Sequence, residues 1–157
     1  MYAAVVLYQQ SRIQLLKHPE VVKRLGNEDT PLRAEVMNPI AHHMTIAPNL
    51  NPTSAEWWKR IIPPDHVYLD VTHIGEWTLP SKRGTGCEWW EREKQGLNFP
   101  SVVAVQVKTN VWSQNQTPHI TLAINREHKV WPSHSNLITR WTPLDPLTLK
   151  GYFDVLD

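Results

Sequence analysis

Polar and apolar side chains alternate through residues 41–47, and again through residues 119–124, with the two-residue period of a half-buried β-strand. In the first segment His43 and Thr45 leave one face, while Met44 and Ile46 leave the other. The second sorts the same way, with His119 and Thr121 against Ile120 and Leu122.

The rest of the chain reads by the same rules. Residues 2–8 are a β-branched and aromatic run that predicts a buried opening strand. Ile13, Leu15, Leu16, Val21, Val22 and Leu25 predict helical packing over residues 11–25, broken at His18 or Pro19 and ended by Gly26-Asn27. Residues 28–40 read as a loop. Thr53 or Ser54 is expected to cap a short helix through Trp57, Trp58 and Ile61, stopped by Pro63-Pro64. Residues 67–74 alternate as a strand that Gly75 to Leu79 extend around a bend, and residues 80–100 read as a charged excursion. A strand is expected over residues 101–108. Pro118 suits the start of the second His strand, and a proline-rich link over residues 141–146 leads to a last strand at 147–155. Strands outnumber helices and their connections read as antiparallel, which predicts an α+β class. The order strand–helix–His-strand early and strand–loop–His-strand late suggests two related lobes facing a central cleft.

Composition narrows the partners. With 157 residues, 41% hydrophobic and 20% charged, the chain is expected to be one soluble domain over residues 1–157. Sixteen basic residues against fifteen acidic ones give a net charge of +1, which argues against a protein that grips long nucleic acid through its phosphates. A small anionic ligand needs only a few local donors and stays open. Cys87 is the only cysteine, so no intrachain disulfide and no cysteine-held zinc is expected. The run Ala3-Ala4-Val5-Val6-Leu7 has no basic lead and is too short for a signal or membrane segment, so a cytoplasmic protein is expected. Eight tryptophans stand against two phenylalanines, four of them in the pairs Trp57-Trp58 and Trp89-Trp90. Neighbours face different ways, so at least one of each pair is expected to be partly exposed. Packing is the ordinary use of such rings, and stacking on nucleobases is the functional one.

Of eight histidines, only His43 and His119 have a Ser or Thr two positions on. One such motif alone is ordinarily a packed or surface histidine; two matched copies, each on a strand, point to a shared site. Phosphodiester cleavage needs a base for the attacking oxygen and an acid for the leaving oxygen, and two imidazoles near neutrality supply both. Thr45 and Thr121 would donate hydrogen bonds to phosphate oxygens as charge develops. Metal binding is the rival use. Zinc usually takes three protein ligands, yet His42 and His43 are sequential and would leave a strand on opposite faces, and no spacing requires His73 as a third. No metal and no cofactor is expected. Gly84-Thr85-Gly86 is too short for a phosphate loop, and Cys87 has no histidine at motif spacing. Lys82 and Arg83 read as a solvated loop, and His18, His66, His128 and His134 as surface or packing residues.

The pair His43-Met44-Thr45-Ile46 and His119-Ile120-Thr121-Leu122 resembles the signature of the 2H phosphoesterase superfamily. That resemblance implies a bilobal α+β fold, with two antiparallel sheets around a central cleft and flanking helices. It also implies metal-independent cleavage of cyclic or RNA-derived phosphodiesters. The strand ending in Tyr8, the His42-His43-Met44-Thr45 context, Val71-Thr72-His73-Ile74-Gly75 and Ser135-Asn136-Leu137-Ile138-Thr139 with Trp141 are similar to the phage anti-CBASS phosphodiesterases, which destroy cyclic di- and trinucleotide signals of a bacterial immune system. By that resemblance His43 and His119 would share the general base and acid roles, in either order, Thr45 and Thr121 would bind the scissile phosphate, and Tyr8 and Trp77 would stack on bases. A small cyclic oligonucleotide would be the substrate. The alternatives are an RNA-end enzyme opening 2′,3′-cyclic phosphates and a nucleotide-binding module without turnover.

Overall fold

The computed structural model describes residues 1–61, 66–80 and 99–157. In chain order these form β1 (Tyr2–Leu7), α1 (Gln9–Leu16), α2 (Pro19–Leu25), α3 (Pro31–Val36), β2 (Met37–Pro39), β3 (His43–Ala47), α4 (Pro52–Ile61), β4 (Val67–Trp77), β5 (Val102–Lys108), β6 (His119–Asn125), a 3-10 helix (Pro132–Leu137) and β7 (Trp141–Leu156). The class is α+β, as the patterning predicts. The strands run β2-β6-β3-β1-β7-β4-β5, with β5 also paired to β6. Six of them therefore close into a barrel, and every pairing is antiparallel. β2 and β3 share one edge of β6, at Ala123 to Asn125 and at Ile120 respectively.

Alternation decides what each face of the sheet meets. Ala3, Val5 and Leu7 of β1, Met44 and Ile46 of β3, and Ile120 and Leu122 of β6 join one buried cluster, together with Leu15, Val21 and Val36 from the first three helices. Leu15, Val5, Met44 and Ile120 are all fully excluded from water, each such burial contributing about 2 kcal/mol of transfer free energy. This core leaves the opposite face of β3 and β6 to the histidines and threonines.

Local sequence accounts for most element ends. The break between α1 and α2 falls where Pro19 begins a new helix, and the His18 ring accepts the Glu20 backbone N–H as its cap. Gly26 ends α2 with φ 98°, and a Cβ there would come within 2.4 Å of the Ala34 backbone. The cap of α4 differs from expectation. Asn51 Oδ1, rather than Thr53 or Ser54, accepts the Ser54 N–H at 2.8 Å, because the helix already starts at Pro52. Residues expected as loop hold α3 and β2; a six-residue helix and a three-residue strand are too short to show a period. The link at residues 141–146 is instead the first part of β7. There β7 pairs with β4 only, since β1 covers no more than Gly151 to Leu156, so Pro143 and Pro146 sit on an edge where a missing donor costs little.

Among the described residues no helix is long and apolar enough to cross a membrane. The charged excursion with Lys82, Arg83, Gly84, Cys87 and Trp89-Trp90, and the Pro63-Pro64 stop, lie outside the described residues. Of the other tryptophan pair, Trp57 is exposed and Trp58 half-buried, stacked on Trp112 at 6.1 Å.

Candidate active site

β3 and β6 meet through the pair Met44 and Ile120. On either side of that pair the ladder gives way: the Ile40 and Ala41 N–H groups bond the Leu122 and Thr121 carbonyls, while the Ser113 hydroxyl and the Gln114 N–H take the Thr45 and Ile46 carbonyls. The His43 and His119 rings are near enough to interact electrostatically, and Thr45 and Thr121 stand two residues on along the same two strands. All four line one open cleft with Ile40, Pro48, Asn115 and Asn136. Its other lining residues are Pro132 and Ser133, at the start of the 3-10 helix.

Each ring is held at one nitrogen. His119 Nδ1 lies 2.8 Å from the Thr117 carbonyl oxygen. A carbonyl only accepts, so the Nδ1 carries hydrogen and Nε2 is the nitrogen left for chemistry. His43 Nδ1 lies 3.0 Å from His42 Nδ1, which likewise leaves Nε2. The Tyr2 ring packs against His43 at 5.2 Å between centroids. Burial pushes the His43 imidazole down to about 4, and the neighbouring His42 and His119 rings add to the shift. Burial also lowers His119, opposed by the Thr117 carbonyl, which favours the protonated ring. Both imidazoles are therefore neutral at pH 7 in the empty cleft, with His119 holding the better partner for an added proton.

The hydroxyls are supported by neighbouring segments. Thr121 Oγ1 lies 2.8 Å from Ser135 Oγ and donates to the Pro132 carbonyl at 3.3 Å. Ser135 is 1% exposed, so it supports the half-buried Thr121 hydroxyl from behind while Thr121 itself stays open to the cleft. At the Thr45 end, Ser113 Oγ donates to the Thr45 carbonyl at 2.9 Å, and the Gln114 N–H to the Ile46 carbonyl at 2.7 Å. These two bonds lay the loop bearing Asn115 and Thr117 along β3.

The sequence-derived site residues divide in two. His43, Thr45, His119 and Thr121 come together as expected. Tyr8 and Trp77 do not line their cleft. The Tyr8 hydroxyl bonds His66 Nδ1 at 2.7 Å, and the ring borders a separate pocket with Gln9, Gln10, Ser11 and Lys150. Trp77 stacks on His134 at 5.5 Å. The expectation that His42 and His43 point apart is also corrected. β3 begins only at His43, and Ala41, at φ 43°, turns the chain just before it, so strand alternation does not govern His42. His73 is bonded to the Thr72 hydroxyl. Among the described residues, no three His, Cys, Asp or Glu side chains are placed to hold a metal ion. Sequence reasoning missed Asn115, Thr117 and Ser133 as site residues. Only the polar run Gln114-Asn115-Gln116-Thr117 beside the second motif hinted at two of them.

Comparison with protein-family models, with curated proteins and with solved structures gave no match.

Proposed function

We propose that this chain is a phosphodiesterase of the 2H type that opens 3′-5′ bonds of cyclic di- and trinucleotide immune signals, and so counteracts CBASS defence in the cytoplasm of an infected bacterium. The observation that carries the chemistry is the meeting of the two motifs, through the Met44–Ile120 pair, at one cleft lined by two imidazoles and two hydroxyls. In this reading the two lobes meet along β3 and β6, the seam tied by Met44 and Ile120.

A scissile phosphate sits between the rings. His43, the ring held neutral most firmly, takes the proton from the attacking oxygen, a neighbouring 2′-hydroxyl or water. As the P–O bond breaks, His119 gives its Nε2 proton to the leaving oxygen, while Thr117 steadies the imidazolium through Nδ1. Negative charge grows on the two non-bridging oxygens. Thr45 donates to one, and Thr121 to the other once its hydroxyl turns from the Pro132 carbonyl, with Ser135 donating to the Thr121 oxygen. The phosphate's own charge favours the protonated His119 that this step requires. None of these roles calls on a metal or cofactor. The near-zero net charge and the small cleft suit a compact substrate better than a long nucleic acid.

The test is a panel of 3′-5′ cyclic dinucleotides, cyclic trinucleotides, 2′-5′ oligoadenylate and 2′,3′-cyclic mononucleotides, incubated with the protein in EDTA and resolved by chromatography. Linear products from the cyclic oligonucleotides support the reading. Preference for 2′,3′-cyclic ends makes the chain an RNA-end enzyme with the same chemistry, and binding without products makes it a nucleotide-binding module.

A further inference from the structure

His42 has no role in the acid–base scheme, yet among the described residues it is the polar partner of the His43 ring, Nδ1 to Nδ1 at 3.0 Å. The two rings meet edge to face, 5.3 Å between centroids and 80° between planes. Adjacent residues on a regular strand cannot do this. Here the His42 carbonyl is pinned to β1 by the Leu7 N–H at 3.0 Å, and the Ala41 N–H bonds the Thr121 carbonyl at 3.0 Å. Between those anchors Ala41 takes φ 43°, a conformation uncommon for a residue with a Cβ. Backbone held in such a state is a feature found preferentially at functional sites. Its effect in this chain is to bring a solvent-exposed imidazole against a half-buried one.

A hydrogen bond between two Nδ1 atoms needs one hydrogen and one lone pair. If His42 donates, His43 presents an N–H to the cleft and has no lone pair there. If His43 donates, its Nε2 holds the lone pair that a base requires. We propose that His42 is a positioning residue whose Nδ1 accepts the Nδ1–H of His43, locking the His43 ring in the tautomer with a basic Nε2. This rests on the reading of His43 as the general base, and it supplies the third group by which such a base is oriented. As Nε2 gains its proton, the Nδ1–H bond becomes charge-assisted and strengthens. His42 keeps its own proton count, and a protonated His42 has no Nδ1 lone pair to offer. Among the described residues, the titratable groups that face His43 are His42 itself, Tyr2 of β1 and His119 of β6.

Histidine-labelled full-length protein gives the tautomer directly, from long-range proton–nitrogen correlation spectra at about pH 7. Three proteins are compared: wild type, His42→Asn, whose side-chain oxygen still accepts, and His42→Ala, which cannot accept. The inference predicts an Nδ1–H tautomer of His43 in wild type and His42→Asn, and its loss in His42→Ala. With a cyclic dinucleotide that wild type cleaves, kcat falls on the order of tenfold in His42→Ala and recovers most of that in His42→Asn, with KM little changed. An Nε2–H tautomer in wild type, or a His42→Ala protein with unchanged tautomer and kcat, overturns it. Equal losses in both variants overturn it too. If wild type cleaves no phosphodiester, the proposed function fails, and the spectra alone still decide the tautomer.

Discussion

His119 donates its Nδ1–H to the Thr117 carbonyl oxygen, 2.8 Å away and two residues upstream. The bond fixes which nitrogen faces chemistry, and it gives a protonated ring a permanent partner. Among the described residues His43 has no carbonyl partner of this kind, and it is held well below the ordinary histidine range, at about 4. The two motifs match in sequence but not in electrostatics, and that asymmetry separates an acid from a base.

The asymmetry predicts an acidic optimum. In the free protein the productive form has neutral His43 and protonated His119. Cleavage measured as kcat/KM should therefore peak between about 4, where His43 titrates, and the ordinary value of 6.5, below which His119 is shifted. The basic limb of kcat should lie at higher pH than that of kcat/KM, because bound phosphate favours the imidazolium. A pH series of initial rates checks both, and a kcat/KM optimum above pH 7 would contradict the assignment.

Stability should fall on acidification through the same groups. Between about 4 and 6.5 the unfolded chain binds protons at His43 and His119 that the folded chain refuses. The unfolded state then holds more protons, so unfolding free energy rises with pH across this window and is lost as pH falls through it. For His43 the full swing is roughly 3 kcal/mol. Urea melts of wild type and His43→Gln at about pH 7 and about pH 4.5 isolate it. The wild type should lose more stability than the variant, and equal losses would argue against a neutral buried His43.

Ser135 should matter to turnover although it lines no part of the cleft. Its hydroxyl is buried against Thr121 Oγ1. Ser135→Ala removes that partner, costing about 1 kcal/mol in stability and lowering kcat more than it raises KM. Thr121→Val removes the donor itself and should cost about a hundredfold in kcat. Melting curves and steady-state kinetics check these, and a wild-type kcat in Ser135→Ala would make its role purely structural.

What the sequence revealed follows physical range. Period-two alternation gave β3 and β6 with their core faces, and with them His43, Thr45, His119 and Thr121, while a continuous apolar run gave β5, because face, period and run are local properties. Proline and glycine gave the α1–α2 break and the end of α2. The pairing of β3 with β6, and the closure of β5 on β6, are long-range choices with no local mark. Thr117 and Ser135 work through a backbone carbonyl and a buried hydroxyl, neither distinguishable in sequence from any other polar loop residue. His42 was misread because strand alternation was extended one residue past the turn at Ala41.

The central claim is a metal-independent phosphodiesterase centre made of two imidazoles, and turnover of a 3′-5′ cyclic dinucleotide in EDTA by wild type, His43→Ala and His119→Ala tests it most directly. The account predicts full wild-type rates in the chelator, and kcat losses of about a hundredfold to ten-thousandfold in each variant with substrate binding kept. Activity abolished by EDTA and restored by a divalent metal, or wild-type rates in either variant, would contradict it.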